Sequence, residues 1–251
     1  MLWTLAAVCV QSVMLALPGR GKAWFARVYW RGMARILGVR LRLIGQRSGH
    51  RPTLFIANHC SWVDIVALGA ALPGCFVAKA EIAGWPGIGF VAKLGRTIFV
   101  SRNRQTVAHE QHVLEMRLER GDNIILFPEG TTSDGNRVLP FSAAFLTLAF
   151  GPARPWVQPV TIVYDELDGQ QIRRWDRPMV AWYGDTDLAP HLLGLLRRRR
   201  LRATILFGEP LPPGSFVNRK AMSAALETLI SENAAALRQG RALPPGCAPQ
   251  P

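Results

Sequence analysis

The chain has 251 residues, enough for one sizeable domain with its own core. Hydrophobic residues make up 49% of it and charged residues 19%, which excludes both a disordered chain and a multi-span membrane protein. Thirty Lys and Arg against seventeen Asp and Glu give a formal charge of +13, so an anionic partner is expected, either nucleic acid or an anionic membrane surface. The basic residues are interleaved with Leu, Ile, Trp and Val, which favours the membrane; no nucleic-acid module is evident. The four cysteines, Cys9, Cys60, Cys75 and Cys247, form no Cys-x-x-Cys pair, so neither a zinc site nor a disulfide framework is indicated.

Residues 1–19 are uncharged and mostly apolar, at the short edge of what a membrane-spanning helix requires. No basic residue precedes the run, which argues against a secretory signal, and Arg20, Lys22, Arg27 and Arg31 follow it. By the positive-inside rule the main domain, residues 20–240, stays on the cytoplasmic face of the inner membrane, with 1–19 as a spanning or interfacial anchor. Residues 21–38 mix Trp24, Phe25, Tyr29 and Trp30 with arginines and read as an amphipathic helix, lying either on a membrane or on the core. Val39–Gly45 reads as an edge strand.

Thr53–Ala57 is a strand-like apolar run leading to Asn58-His59-Cys60-Ser61-Trp62-Val63-Asp64. Ser61 and Asp64 have the spacing of a capping box, so a helix is expected to start at Trp62, with Asp64 in the first turn where the helix dipole favours negative charge. His59 then sits at the strand end, where a loop can fold its imidazole back onto Asp64. Such a pair fixes the tautomer and leaves the far ring nitrogen free to take a proton. On spacing alone a polar residue beside a helix cap fits equally well. Cys60 reads as a small packing residue, with a nucleophile as the alternative.

Gly74–Ala78 reads as a strand ending at Lys79, followed by a Gly/Pro-punctuated turn and a short helix. Thr97–Val100 is a β-branched strand ending at Ser101-Arg102, and 104–120 is an amphipathic helix with Leu114 and Leu118 on one face. His109 and His112, three apart with no carboxylate at ligand spacing, read as a solvated face, and no metal is expected. Asn123–Phe127 is an apolar strand leading into the loop 128–135. Phe141–Phe150 reads as a buried helix, Trp156–Val163 as a strand broken by Pro159, and Met179–Trp182 as another. Arg197–Arg200 reads as a docking site for anionic lipid. Thr204–Phe207 is the last strand, Lys220–Leu237 a helix and 241–251 a disordered tail. The strand–turn–helix rhythm fits an open α/β sheet flanked by helices, with ligands at the carboxyl ends of its strands.

Four blocks stand in order: Asn58-His59-Cys60-Ser61-Trp62-Val63-Asp64, Gly95-Arg96-Thr97-Ile98-Phe99-Val100-Ser101-Arg102, Phe127-Pro128-Glu129-Gly130-Thr131 and Val157-Gln158-Pro159-Val160. Together they resemble the motif blocks of the 1-acyl-sn-glycerol-3-phosphate acyltransferase family of membrane glycerolipid acyltransferases, over roughly residues 53–163. The resemblance implies a single open mixed sheet with membrane-associated N-terminal helices, and acyl transfer to a lysophospholipid hydroxyl. In that reading His59 is the base and Asp64 its orienting partner. Arg102 holds the acceptor phosphate with Lys79 as helper, and Glu129, Gly130 and Thr131 contact the acceptor. Asn58, Gly95, Pro128 and Pro159 support the motifs. The co-substrate is acyl-CoA or acyl-carrier protein, with no resident cofactor.

The principal reading makes 1-acyl-sn-glycerol-3-phosphate the acceptor and phosphatidic acid the product. Members acting on that lipid carry a basic residue after the position of Phe141, where this chain has Ser142-Ala143-Ala144. Residues 133–141 also resemble members acting on lyso-ornithine lipids, which is the alternative. A non-catalytic, basic membrane-surface protein is the rival of a different class.

Overall fold

In a computed structural model, residues 2–16, 21–101 and 107–243 are described. Two helices lead the chain, α1 (Leu2–Ala16) and α2 (Gly21–Ile36), then β1 (Val39–Ile44), β2 (Thr53–Ala57) and α3 (Val63–Ala71). β3 (Cys75–Lys79), α4 (Ile88–Leu94), β4 (Ile98–Val100), α5 (Val107–Glu119) and β5 (Ile124–Leu126) follow. A long strand β6 (Trp156–Leu167) and the short β7 (Gln170–Gln171) precede α6 (Leu188–Leu196), β8 (Leu201–Phe207) and α7 (Arg219–Gln239). The strands form one sheet in the order β1-β8-β6-β2-β5-β3-β4, with β7 paired to β6. All neighbours run parallel except β6 with β8 and with β7, so the expected open mixed sheet is present.

Side-chain alternation splits the core into two layers. Phe55, Ala57, Ile125, Phe127, Ile162 and Tyr164 face a layer roofed by α2 and α3. Leu54, Ile56, Ile124 and Leu126 face the other, closed by Leu114 and Leu118 of α5 and by Met222, Leu226 and Ile230 of α7. Each large apolar side chain removed from water here contributes about 1.5–3 kcal/mol. The α2–α3 contact is close because Gly69 has no side chain. A Cβ there would stand 2.5 Å from the indole of Trp30.

Several expectations change in the structure. β6 is an interior strand running unbroken through Pro159, whose carbonyl accepts the Gly208 N–H at 2.9 Å. Residues 141–150 form no α-helix. The Phe141 and Ser142 N–H groups are taken by Glu227 and by the Pro128 carbonyl, and only a 3-10 turn, Phe145–Phe150, follows. Met179–Trp182 is not a strand; after a 3-10 turn the chain crosses to the sheet mouth, where Trp182 N–H donates to the Cys60 carbonyl at 2.8 Å.

At about 1.5 Å per residue, α1 is roughly 22 Å long, short of the ~30 Å hydrocarbon core. Among the described residues no helix is long and apolar enough to cross a membrane. α1 instead lies on α2 and α4, with Trp3 Nε1 donating to Tyr29 O and Gln11 Nε2 to Leu94 O. The tail beyond 243 lies outside the described residues.

Candidate active site

β2 and β5 are parallel neighbours, so the loops that leave them emerge at the same end of the sheet. His59 stands on the first loop and Glu129 on the second. Ser61 Oγ accepts the Val63 N–H at 3.3 Å, and the Asp64 carboxylate reaches back to the Ser61 N–H at 2.9 Å. This is the expected cap, and it turns Asp64 inward until it is fully buried.

Asp64 gathers four donors. Its Oδ2 accepts the backbone N–H groups of Cys60 (2.7 Å) and Ser61 and lies 2.8 Å from His59 Nδ1. Its Oδ1 accepts the Tyr164 hydroxyl at 2.6 Å. A buried carboxylate costs several kcal/mol unless its lone pairs are satisfied, and here they are. The His59 ring is clamped flat against Phe127, with centroids 4.0 Å apart, while 17% of the side chain stays exposed. With Nδ1 turned to Asp64, Nε2 is the ring nitrogen left to exchange a proton with a bound hydroxyl.

Glu129 braces this loop from the side. One carboxylate oxygen accepts the His59 N–H at 2.6 Å and the other the Leu139 N–H at 2.7 Å. Burial pushes its carboxyl up to about 8, against the opposing pull of those two N–H groups. Both oxygens are therefore engaged by backbone, and not by the arginine or acceptor contact expected of them. Gly130 holds a left-handed φ of 66°, and its N–H turns back to the Phe127 carbonyl rather than toward a ligand. Thr131 is exposed at the lip of the site.

Asn58 is buried and ties the end of β2 to β6. It donates to the Ile162 carbonyl at 2.9 Å and accepts the Ile162 N–H at 2.8 Å. Pro128 is buried, and Gln158 saturates the backbone at Gln46, Ser48 and Gly208. Cys60 is buried and its thiol is pushed well up, by burial first and then by Asp64, which suits packing and not attack. Gly95 does not supply special backbone geometry: its φ is −70°, and the left-handed position belongs to Arg96, held by Asp122. Lys79 is exposed at the end of β3, two strands from β2. Arg102 lies outside the described residues, as does the His109 side chain; His112 is exposed.

Tyr164 escaped the sequence reading, which ended the strand at Val163. Its hydroxyl is held well above the usual phenol range, by burial first and then by the charge of Asp64. The one sequence signal is the even spacing Val160, Ile162, Tyr164, which puts it on the face of the sheet that Asp64 occupies.

The Acyltransferase family model matches residues 40–163. Over 248 residues the chain is 38% identical to a lyso-ornithine lipid O-acyltransferase of Brucella abortus, covering 96% of this chain and 93% of that protein. The chain belongs to the acyltransferase family. A lyso-ornithine lipid O-acyltransferase of Rhizobium meliloti is 36% identical over 95% of the chain and 84% of its own length. A 1-acyl-sn-glycerol-3-phosphate acyltransferase of Neisseria meningitidis is 32% identical, over 70% and 68%. The fold is shared with the crystal structure of the 1-acyl-sn-glycerophosphate acyltransferase PlsC from Thermotoga maritima (TM-score 0.63, 21% identity, 92% of this chain and 87% of that one). This acyltransferase is thus an enzyme of lipid metabolism, as the four sequence blocks implied.

Proposed function

We propose that this acyltransferase moves a fatty acyl group from acyl-CoA or acyl-carrier protein onto the hydroxyl of a lyso-ornithine lipid. The observation that carries the reaction is the His59–Asp64 pair at 2.8 Å, with the ring partly exposed at the mouth of the sheet. His59 Nε2 takes the hydroxyl proton as the oxygen attacks the thioester carbonyl; the same nitrogen hands it on as the thiol leaves. Asp64 holds the tautomer and stabilises the imidazolium formed. Tyr164 and Glu129 are positioning residues, one on the carboxylate and one on the His59 backbone. No acyl-enzyme and no resident cofactor enter this scheme.

For the acceptor, the relatives favour the lyso-ornithine alternative over 1-acyl-sn-glycerol-3-phosphate. Similarity to the Brucella and Rhizobium enzymes extends over nearly the whole chain, whereas the Neisseria enzyme matches over 70% of it. Acylation of 1-acyl-sn-glycerol-3-phosphate, with Arg102 and Lys79 on its phosphate, is the second reading, supported by that third relative. The membrane supplies the acceptor. Exposed Leu2, Leu5, Val13 and Trp24 on the N-terminal helices, with the exposed run Arg197–Arg200, suit an anionic bilayer surface, on the cytoplasmic side in our reading. Residues 1–19 serve as an interfacial anchor to the acyltransferase domain, 20–240.

The test is turnover of labelled acyl-CoA and acyl-carrier protein by purified enzyme with each lyso-lipid in vesicles. Product from lyso-ornithine lipid at a kcat/KM at least tenfold above that for 1-acyl-sn-glycerol-3-phosphate is expected. The reverse preference overturns the acceptor assignment, and no product from either overturns the reaction.

A further inference from the structure

Behind the His59–Asp64 pair lies a cavity of about 300 Å³, lined among others by Cys60, Tyr164, Val180, Arg177 and Arg238. Two of its walls touch the reaction centre directly: Cys60 follows His59 in the chain, and Tyr164 donates to Asp64. The other walls bring two guanidinium groups together on one asparagine. Arg177 Nη1 donates to Asn136 Oδ1 at 3.0 Å, and Arg238 Nη1 to the Asn136 carbonyl at 2.9 Å. A guanidinium has five N–H donors, and each of these spends one in this way.

Neither has a carboxylate within 4 Å among the described residues, although the chain elsewhere pairs Arg96, Arg117, Arg198 and Arg202 with acids. The nearest acids are committed elsewhere: Asp134 to Asn136, and Glu129 to the backbone of His59 and Leu139. Burial is the main pressure against both charges; Arg177 adds to that pressure on Arg238. Two partly buried cations without a counter-ion, beside a reaction centre, form a receptor for an anion.

We infer that Arg177 and Arg238 bind the carboxylate of the acceptor's amino-acid headgroup. The inference rests on the proposed function and deepens it. Linking a fatty chain to ornithine through an amide consumes an amine and leaves the α-carboxylate free. A planar carboxylate matches the guanidinium fork, and its capture on the cavity wall places the attached chain and its hydroxyl toward His59. Asn136, which orders both arginines, lies in the segment 133–141 that resembles members acting on lyso-ornithine lipids.

The test compares lyso-ornithine lipid with its carboxyl methyl ester, and with 1-acyl-sn-glycerol-3-phosphate, in wild type, Arg177→Gln and Arg238→Lys. Loss of one charge-assisted contact should raise KM for the free acid about 10- to 100-fold while KM for the methyl ester stays the same. A second readout needs no turnover: a water-soluble short-chain N-acyl-ornithine should raise the Tm of wild type but not of Arg177→Gln, and its methyl ester should raise neither. If acid and ester suffer equally in the variants, or the acid is unaffected, the arginines only clamp the 133–141 segment and the inference fails while the acceptor assignment stands. If wild type acylates only 1-acyl-sn-glycerol-3-phosphate, the acceptor assignment fails and this inference with it.

Discussion

Replacing Asp64 by Asn separates the charge of that side chain from its shape. An amide can place its oxygen where Oδ2 now accepts Cys60 and Ser61 N–H, with its NH2 turned to Tyr164, whose hydroxyl can accept as well as donate. The loop, the helix cap and the His59 tautomer should therefore survive. What disappears is the negative charge facing the imidazolium that forms during proton transfer. Nδ1 and Oδ2 are 2.8 Å apart, so the two delocalised charges are centred about 4 Å apart. At an effective dielectric constant of about 20, that interaction is worth about 4 kcal/mol. Its loss should lower kcat about 10³-fold with KM for the acyl donor within about threefold, since the loss falls on the step that forms the imidazolium. Single-turnover acyl transfer from labelled donor, beside a thermal melt, measures both. A folded Asp64→Asn enzyme within tenfold of wild-type kcat would refute the electrostatic role and with it the base assignment.

Other consequences follow from the same geometry. His59→Ala should abolish turnover while leaving vesicle binding intact, read by flotation beside the acyl-transfer assay. Glu129 has a native-state carboxyl raised to about 8 from 4.5, so the folded state holds its proton more tightly than the unfolded chain. Its contribution to stability should thus fall as pH rises from about 4.5 to about 8, by at most ~1.4 kcal/mol per pH unit, and Glu129→Gln should flatten that slope in urea titrations. At low pH the same variant should be less stable by about 1–3 kcal/mol, because one of the two N–H groups, of His59 or Leu139, must face an amide NH2. Asn58→Ala strips partners from the buried N–H and C=O of Ile162 and should cost about 2–4 kcal/mol in the same titration. Gly130→Ala forces a side chain into φ 66° and 3.2 Å from the Phe145 ring; about 1–2 kcal/mol of stability should be lost.

The strands were legible because their signals are local. Thr53–Ala57 and Asn123–Phe127 are short apolar runs stopped by polar turns, and both are strands at the centre of the sheet. The His59 loop was legible for the same reason: Ser61, Asp64 and the strand end lie within a dozen residues. What escaped depends on partners distant in sequence. Tyr164 acquires its place from Asp64, 100 residues away. The arginines of the rear cavity meet on Asn136 across 41 and 102 residues. Glu129 was singled out, but its partners were not, because the His59 N–H is supplied by a neighbouring strand's loop. The helix expected at 141–150 failed because Glu227 and Pro128 take N–H groups at its start.

One carboxylate sets the rigidity of the whole arrangement. Asp64 orders the 58–64 loop through backbone N–H groups, begins α3 through the cap, and fixes the His59 ring from the same oxygen. Loosening the imidazole therefore requires loosening the helix start as well, and Tyr164 from the neighbouring strand opposes both. Orientation is settled when the chain folds, not when a lipid arrives, so no lid is needed to assemble the pair. The cost is a buried charge that only a full set of donors makes tolerable. This is why the donors come from four groups on two segments, and why removing a donor such as the Tyr164 hydroxyl must register in stability and in proton transfer together.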